Sequence, residues 1–300
     1  MPKKNLMRIE KKMLIPTIVF WILGLIWGSN FLYMKLAVQY ITPMQVVLLR
    51  VSLSVLPVVL YATFTHAFKK EHLKHWHHFF IMSLLATVVY YYLYVKGSHL
   101  LHSGIAGAIS GSTPVFSFIL GLLLLNEEKM TYQKISGCLL GVIGILILAK
   151  LFDTAFAPAT WEGIACMIIG SISFGASFIY AKIYISPLQI SSAALTSYQL
   201  IGASLILLVC SDFNGVLNIF NDSRAALGLV VGLGILGTGV AYLIYYYIIE
   251  KMGAIKASSV TYIPPIVALF IGSIIAKEPI QLTDFVGALI ILLGVYFLKK

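Results

Sequence analysis

The sequence predicts an all-α integral membrane protein, with ten transmembrane helices arranged as two inverted five-helix repeats. Three observations predict it: a composition too apolar for water, a succession of charge-poor runs long enough to cross a bilayer, and a likeness between the two halves of the chain. Of 300 residues, 60% are hydrophobic and 11% are charged, and the mean hydropathy is +0.95. Soluble domains carry about 25% charged residues. So few charges cannot cover a water-soluble fold of this length, whereas lipid solvates the excess. The net charge of +10 does not read as nucleic-acid binding, because the basic residues sit at the ends of apolar runs, beside lipid headgroups. Cys138, Cys166 and Cys210 lie within apolar runs with no metal or redox spacing and read as small buried hydrophobes.

A hydrocarbon core of about 30 Å takes about 20 helical residues. The first span, Met13–Met34, follows a basic segment containing Lys3, Lys4, Arg8, Lys11 and Lys12. Its apolar core is too long for a secretory signal and no small-x-small site follows, so it reads as a retained anchor. Pro43–Thr65 is the second span and carries one charge, Arg50. Phe79–Val95 is the third, slightly short and flanked by Trp76 and Lys96, and Gly97–Asn126 is the fourth. Thr131–Ala149 is the fifth. A loop around Leu151–Thr160, with Asp153 and Pro158, interrupts the apolar pattern. Gly163–Ala181, Ile183–Ser211, Ala225–Ile249, Ala257–Ala276 and Gln281–Leu298 complete the ten. Backbone groups in lipid must be paired internally, and runs of this length without period-2 alternation exclude a barrel. The expected organisation is a cytoplasmic basic N-terminus at 1–12, a first repeat at 13–150, an extracytoplasmic linker at 151–160 and a second repeat at 161–300.

Of the 21 lysines and arginines, Arg50 lies inside a span. Lys35, Lys96, Lys150, Arg224 and Lys277 fall on one side of the membrane, which leaves fifteen on the other. The positive-inside rule places the side with fifteen, and with it both termini, in the cytoplasm. The expected location is the cell membrane, in a bacterium the inner membrane.

Gly28-Ser29-Asn30-Phe31-Leu32-Tyr33-Met34-Lys35 matches Gly175-Ala176-Ser177-Phe178-Ile179-Tyr180-Ala181-Lys182 at an offset of 147 residues. At an offset of 150, Pro114 matches Pro264, Glu128 matches Glu278, Gly137 matches Gly287, Gly144 matches Gly294, and Tyr92-Leu93 matches Tyr242-Leu243. Each half has five spans, an odd number, so the second half enters from the opposite side. Inverted repeats are a frequent design of secondary transporters, with the substrate site near the midplane where the halves meet.

At these residues the chain resembles the EamA family of the drug/metabolite transporter superfamily. The resemblance is carried by Trp27-Gly28-Ser29-Asn30-Phe31, by Pro114 with Asn126-Glu127-Glu128-Lys129, and by Pro264 with Lys277-Glu278-Pro279. It spans about Leu14 to Leu298. It implies efflux or exchange of a small metabolite, often an amino acid, and a central cavity lined by spans one, three, four, six, eight and nine. It does not name the cargo.

Arg50 is the only fixed charge well inside a span. At 1.5 Å per residue it lies about 10 Å in from Pro43, where insertion scales charge roughly 2.5–3.5 kcal/mol for a cation at the helix centre. It must face protein or water, either as counter-ion to a substrate carboxylate or as a brace between helix ends. No Asp or Glu lies at comparable depth, which weighs against a lipophilic-cation or drug efflux pump, although tyrosine faces can replace a carboxylate. Tyr90, Tyr91, Tyr92 and Tyr94 crowd span three, and Tyr242, Tyr245, Tyr246 and Tyr247 crowd span eight. The repeat-equivalent pair Tyr92 and Tyr242 is the expected cavity pair. An interfacial aromatic belt is the alternative. Trp27 and Asn30 share a helix face at midplane depth, and Ser177 is the repeat equivalent of Asn30. Pro114 and Pro264 remove backbone donors and kink their helices, freeing carbonyls. Tyr262, beside Pro264, completes the expected substrate-site set.

Five histidines, His66, His72, His75, His77 and His78, lie between spans two and three. Membrane di-iron oxidases need several histidine boxes on one face, so an enzyme is not expected. A polar headgroup-side loop is the reading, with adventitious metal binding as the alternative. No Walker loop is present, and no cofactor or metal is expected. The partners expected are a small-molecule substrate and the bilayer; the oligomeric state is open. Outside transport, the competing reading is a receptor or sensor.

Overall fold

Lipid leaves the chain few choices of backbone, so what remains to be fixed is where each helix breaks and what it packs against. The computed structural model describes residues 3–125, 131–148, 158–252, 257 and 259–298. In chain order the apolar helices are α1 (Leu14–Ala37), α2 (Pro43–Phe64), α3 (Lys70–Leu100), α4 (Ser103–Leu124), α5 (Tyr132–Leu148), α6 (Thr160–Leu188), α7 (Ser192–Cys210), α8 (Ser223–Met252), α9 (Val260–Ile275) and α10 (Leu282–Leu298). Among the described residues seven are long and apolar enough to cross a membrane; α5, α9 and α10 are the shorter apolar helices.

Two expected boundaries move. The third span is longer than the window Phe79–Val95, and the fourth begins later than Gly97. Gly97–Leu100 finish α3, and the chain turns extended at Leu101. The break falls in Gly97-Ser98-His99-Leu100-Leu101-His102-Ser103-Gly104, a stretch without Asp, Glu, Lys or Arg, so a search for charge-free runs passes over it. The sixth span likewise runs past Ala181 to Leu188, and Gln189 then takes a left-handed φ of 52°. Pro187 is the local cause, since it has no N–H to offer the helical ladder and its ring crowds the preceding turn. The histidine segment is helical: Lys70–His75 forms a 3₁₀ turn that runs into Trp76–Ser83. The expected motif at 126–129 and most of the expected linker at 151–160 lie outside the described residues; Pro158–Thr160 already belong to the helix that opens α6.

The packing has the symmetry of the repeat. α5 packs on α10, α2 on α7 and α4 on α9; α3 packs on α6 as α8 does on α1; α3 packs on α7 as α8 does on α2; α6 packs on α4 as α1 does on α9. Adding five to each helix number returns the same set, which defines two equivalent five-helix units. The α5–α10 contact is backbone to backbone. A Cβ at Gly144 would come within 2.7 Å of the Gly287 carbonyl, and one at Gly294 within 2.6 Å of the Gly137 carbonyl. Small residues permit such close approach in membranes. α4 and α9 both lose regular helix just before their matched prolines: α4 turns at 111–112, and α9 starts as a 3₁₀ segment over Ser259–Tyr262. Among the described residues four segments carry wide i→i+5 turns, the longest being Gly228–Val240 in α8.

Candidate functional site

Arg50 decides the centre of the molecule. Its helix starts cleanly: Thr42 accepts from the Gln45 N–H, and the Gln45 side chain accepts in return from the Thr42 N–H, a reciprocal cap. Two turns on, Arg50 is 1% exposed. Its Nε–H donates to Thr238 Oγ1 at 3.1 Å, Nη2 to the Gly237 carbonyl at 3.4 Å and Nη1 to Met34 Sδ at 3.6 Å. Its Cζ lies 3.6 Å from the centroid of the Tyr91 ring. A desolvated cation–π contact of this kind contributes about 2 kcal/mol. A guanidinium has about five N–H donors, so these three bonds leave part of the fork unused. Among the described residues no carboxylate pairs with it. Both acceptors lie in the wide turn of α8: the Gly237 carbonyl also accepts from the Tyr91 hydroxyl at 3.5 Å, and Thr238 Oγ1 donates five residues back to the Leu233 carbonyl. Wide turns inside helices recur at functional sites.

Arg50 opens on a central cavity of about 20 Å³, lined by Trp27, Asn30, Phe31 and Met34 of α1, Tyr90, Tyr91 and Tyr94 of α3, Ser110 and Thr113 of α4, Phe174 of α6, and Thr261 and Pro264 of α9. That volume holds about one water, so a metabolite enters only if the helices move. Asn30 is buried, and its Oδ1 has no hydrogen-bond partner. An unpaired buried acceptor costs about 1–3 kcal/mol.

Four of the expected site residues meet here: Trp27, Asn30, Arg50 and Pro264. The others lie outside the lining. Tyr92 is half-buried and points away from it. Tyr242 is fully buried and donates to the Ala86 carbonyl, with its ring 6.3 Å from that of Tyr91. Ser177 is buried and donates to the Phe174 carbonyl at 2.7 Å. Pro114 follows the lining residue Thr113, and Tyr262 follows the lining residue Thr261. Tyr90, Tyr91, Tyr94 and Phe174 were not anticipated. A signal for the tyrosines existed in the sequence: the charged Lys96 lies four residues after Tyr92, and residues four apart share a helix face, so Tyr92 belongs to the polar stripe of Lys96. α2, which is not among the helices the family resemblance implies for the cavity, supplies Arg50, and α8, which is among them, acts through the groups that hold Arg50.

A second, larger space of about 930 Å³ opens between the end of α6, the start of α7 and the end of α8. Lys182, Gln189, Tyr246, Glu250 and Met252 are among its walls. Aromatic rings separate it from the central cavity. Tyr246 lies 5.0 Å from Tyr245, which in turn lies 6.2 Å from Trp27, 6.3 Å from Phe174 and 5.3 Å from Phe178.

Two inverted five-helix units around a buried, aromatic-walled cation define a polytopic membrane protein of transporter architecture. The chain belongs to the EamA-like transporter family, whose model matches residues 15–150 and again 161–299. It is 26% identical to "Uncharacterized transporter YoaV" of Bacillus subtilis, over 91% of this chain and 92% of that one. It is also 26% identical to an "Uncharacterized transporter" of Archaeoglobus fulgidus, over 91% and 95%. "Uncharacterized inner membrane transporter YedA" of Escherichia coli is 24% identical over 64% of this chain and 60% of that one. A crystal structure of another protein superposes with a TM-score of 0.63 at 14% identity, covering 95% of this chain and 98% of that one; at that identity the likeness concerns the fold.

Proposed function

We propose that the protein is a secondary carrier that exports a small zwitterionic or anionic metabolite, an amino acid first, by alternating access, with Arg50 as the counter-ion to the substrate carboxylate. One observation carries this reading: Arg50 is buried at the centre, paired with no described carboxylate and only partly hydrogen-bonded. A substrate carboxylate supplies the missing charge, and electrostatic preference is magnified where water does not screen it. Asn30 Oδ1 is the acceptor available to an ammonium or hydroxyl of the same ligand. Export rests on the family resemblance alone.

The basic-residue asymmetry supports an orientation with both termini in the cytoplasm, and the E. coli relative's name supports the inner membrane of a bacterium. The large space beside Lys182 and Glu250 is then the cytoplasmic vestibule, and the α3–α4 face is external. A cysteine placed at the exposed position Asn218 should react with an impermeant thiol reagent in intact cells, and one at Lys70 should not; the reverse pattern contradicts this orientation.

The aromatic walls favour one other reading, a lipophilic cation held on tyrosine and tryptophan faces. Growth of an overexpressing strain against toxic amino acids, their analogues and lipophilic cations, followed by flux in proteoliposomes, separates the two. Protection and flux confined to cations contradict the carboxylate reading, and absence of flux for the whole panel favours a sensor.

A further inference from the structure

A third space, of about 400 Å³, opens on the lipid-facing surface of the bundle between α1 and α8. Half-buried Ile26, Ser29 and Tyr33 of α1 form one wall, and exposed Leu227, Val231 and Leu236 of α8 form the other. The helices approach closely at Gly228 and Gly232, on which the Tyr33 ring lies directly. A Cβ at Gly228 would come within 2.8 Å of that ring, and one at Gly232 within 2.5 Å. The Ser29 hydroxyl is turned back on the Ile26 carbonyl at 2.8 Å, which leaves the walls largely apolar.

Length and charge together say what fills this groove. From Arg224 to Leu236 it runs at most about 18 Å at 1.5 Å per residue, close to the roughly 15 Å of hydrocarbon in one leaflet. An apolar space stays dry, so hydrocarbon from the bilayer occupies it. At its outer end stands Arg224, exposed in the first turn of α8. The connection before it exposes Phe213, Leu217 and Phe220. Large apolar side chains of this kind belong at the boundary of headgroups and acyl chains, which sets Arg224 at phosphate depth. Asp222, two residues earlier, is engaged as the helix cap, its Oδ1 accepting from the Ala225 N–H at 2.7 Å. Among the described residues no carboxylate pairs with Arg224.

We propose that the α1–α8 groove is a binding site for an anionic phospholipid, with its phosphate on Arg224 and one acyl chain running past Tyr33 and Val231 to Leu236. A guanidinium meets phosphate oxygens with paired donors, which an ammonium cannot do. The chain then lies along Gly228–Val240, the segment whose Gly237 and Thr238 hold Arg50, so the lipid braces one side of the central site.

The test is native mass spectrometry of the full chain in neutral detergent, titrated with phosphatidylglycerol or with phosphatidylcholine of the same acyl chains. The first phosphatidylglycerol should bind about tenfold more tightly than the first phosphatidylcholine, the size expected for a charge-assisted bond. Arg224→Gln should bring phosphatidylglycerol down to the level of phosphatidylcholine and leave phosphatidylcholine unchanged. Val231→Trp fills the groove and should weaken both lipids. Arg224 is exposed, so its variant keeps the test decisive even where Val231→Trp does not accumulate. The site is wrong if the wild type shows no preference for phosphatidylglycerol, or if the preference survives Arg224→Gln and so belongs to other basic residues. Lipid binding untouched by Val231→Trp also overturns it, as does a dimer that Val231→Trp dissolves, which would give the groove to a second copy of the chain. Binding is read without transport, so the result is independent of the carrier reading.

Discussion

Arg50 on α2 and Gln199 on α7 occupy the same place in the two repeats. Their helices start at equivalent caps, Thr42 and Ser191, and each side chain lies eight residues past its cap. Both side chains are 1% exposed. Both cross to a threonine on the helix packed alongside: Arg50 to Thr238 of α8, and Gln199 Nε2 to Thr87 Oγ1 of α3 at 2.8 Å. Gln199 is then completed by the Tyr246 hydroxyl, which donates to its Oε1 at 2.5 Å. A neutral amide therefore suffices to brace this crossing in one half. The cation in the other half exceeds what packing asks for, and a buried cation without an anion is what a carboxylate ligand would complete.

That asymmetry can be broken deliberately. Arg50→Gln gives the first repeat the side chain of the second. If Arg50 binds the carboxylate, KM should rise about 10- to 100-fold, the equivalent of roughly 1.5–3 kcal/mol for a charge-assisted bond, with protein yield near normal. Arg50→Lys keeps the charge but loses the planar fork, and should fall between the two. Next in size is Tyr91→Ala, which removes the ring under the guanidinium and should cost about tenfold in affinity. Tyr92→Ala, one position along and outside the cavity, should stay within about twofold, as surface substitutions usually do. Equal losses at the two tyrosines would return Tyr92 to the cavity.

Gln199→Leu reverses the expectation. It strands the Tyr246 hydroxyl and Thr87, so it should cost about 1–3 kcal/mol of stability, read as a lower melting temperature in detergent, while KM stays unchanged. A KM effect matching that of Arg50→Gln would erase the distinction between the halves. The smallest effect belongs to Glu162→Gln, which removes an exposed ion pair to Lys96 and should change stability by less than about 1 kcal/mol.

The fold was legible because lipid dictates helix lengths and because paired motifs survive in both halves. The breaks were less so. Pro187 announces the end of α6, whereas the end of α3 carries neither a proline nor a formal charge, and the start of α4 beyond it is capped by Glu278, 175 residues away from Ser103. Within the site, Arg50, Asn30, Trp27 and Pro264 stood out because each is costly or unusual in an apolar helix. Tyr90, Tyr91, Tyr94 and Phe174 did not, since an aromatic residue in a membrane helix looks the same whether it faces lipid or a cavity. Tyr92 and Tyr242 share a place in the repeat, yet neither lines the cavity, because repeat equivalence does not say which face of a helix turns inward. The groups that hold Arg50 come from Gly237 and Thr238, 187 and 188 residues further on, beyond the reach of any local pattern.

The most direct measurement of the central claim is flux in proteoliposomes for matched substrates with and without the carboxylate, such as an amino acid and its amide or decarboxylated amine, in wild type and Arg50→Gln. The account predicts that the wild type favours the carboxylate member and that Arg50→Gln removes most of that preference, mainly through KM. A wild type indifferent to the carboxylate, or an Arg50→Gln variant that lowers both members equally, would make Arg50 a brace like Gln199 and contradict the account.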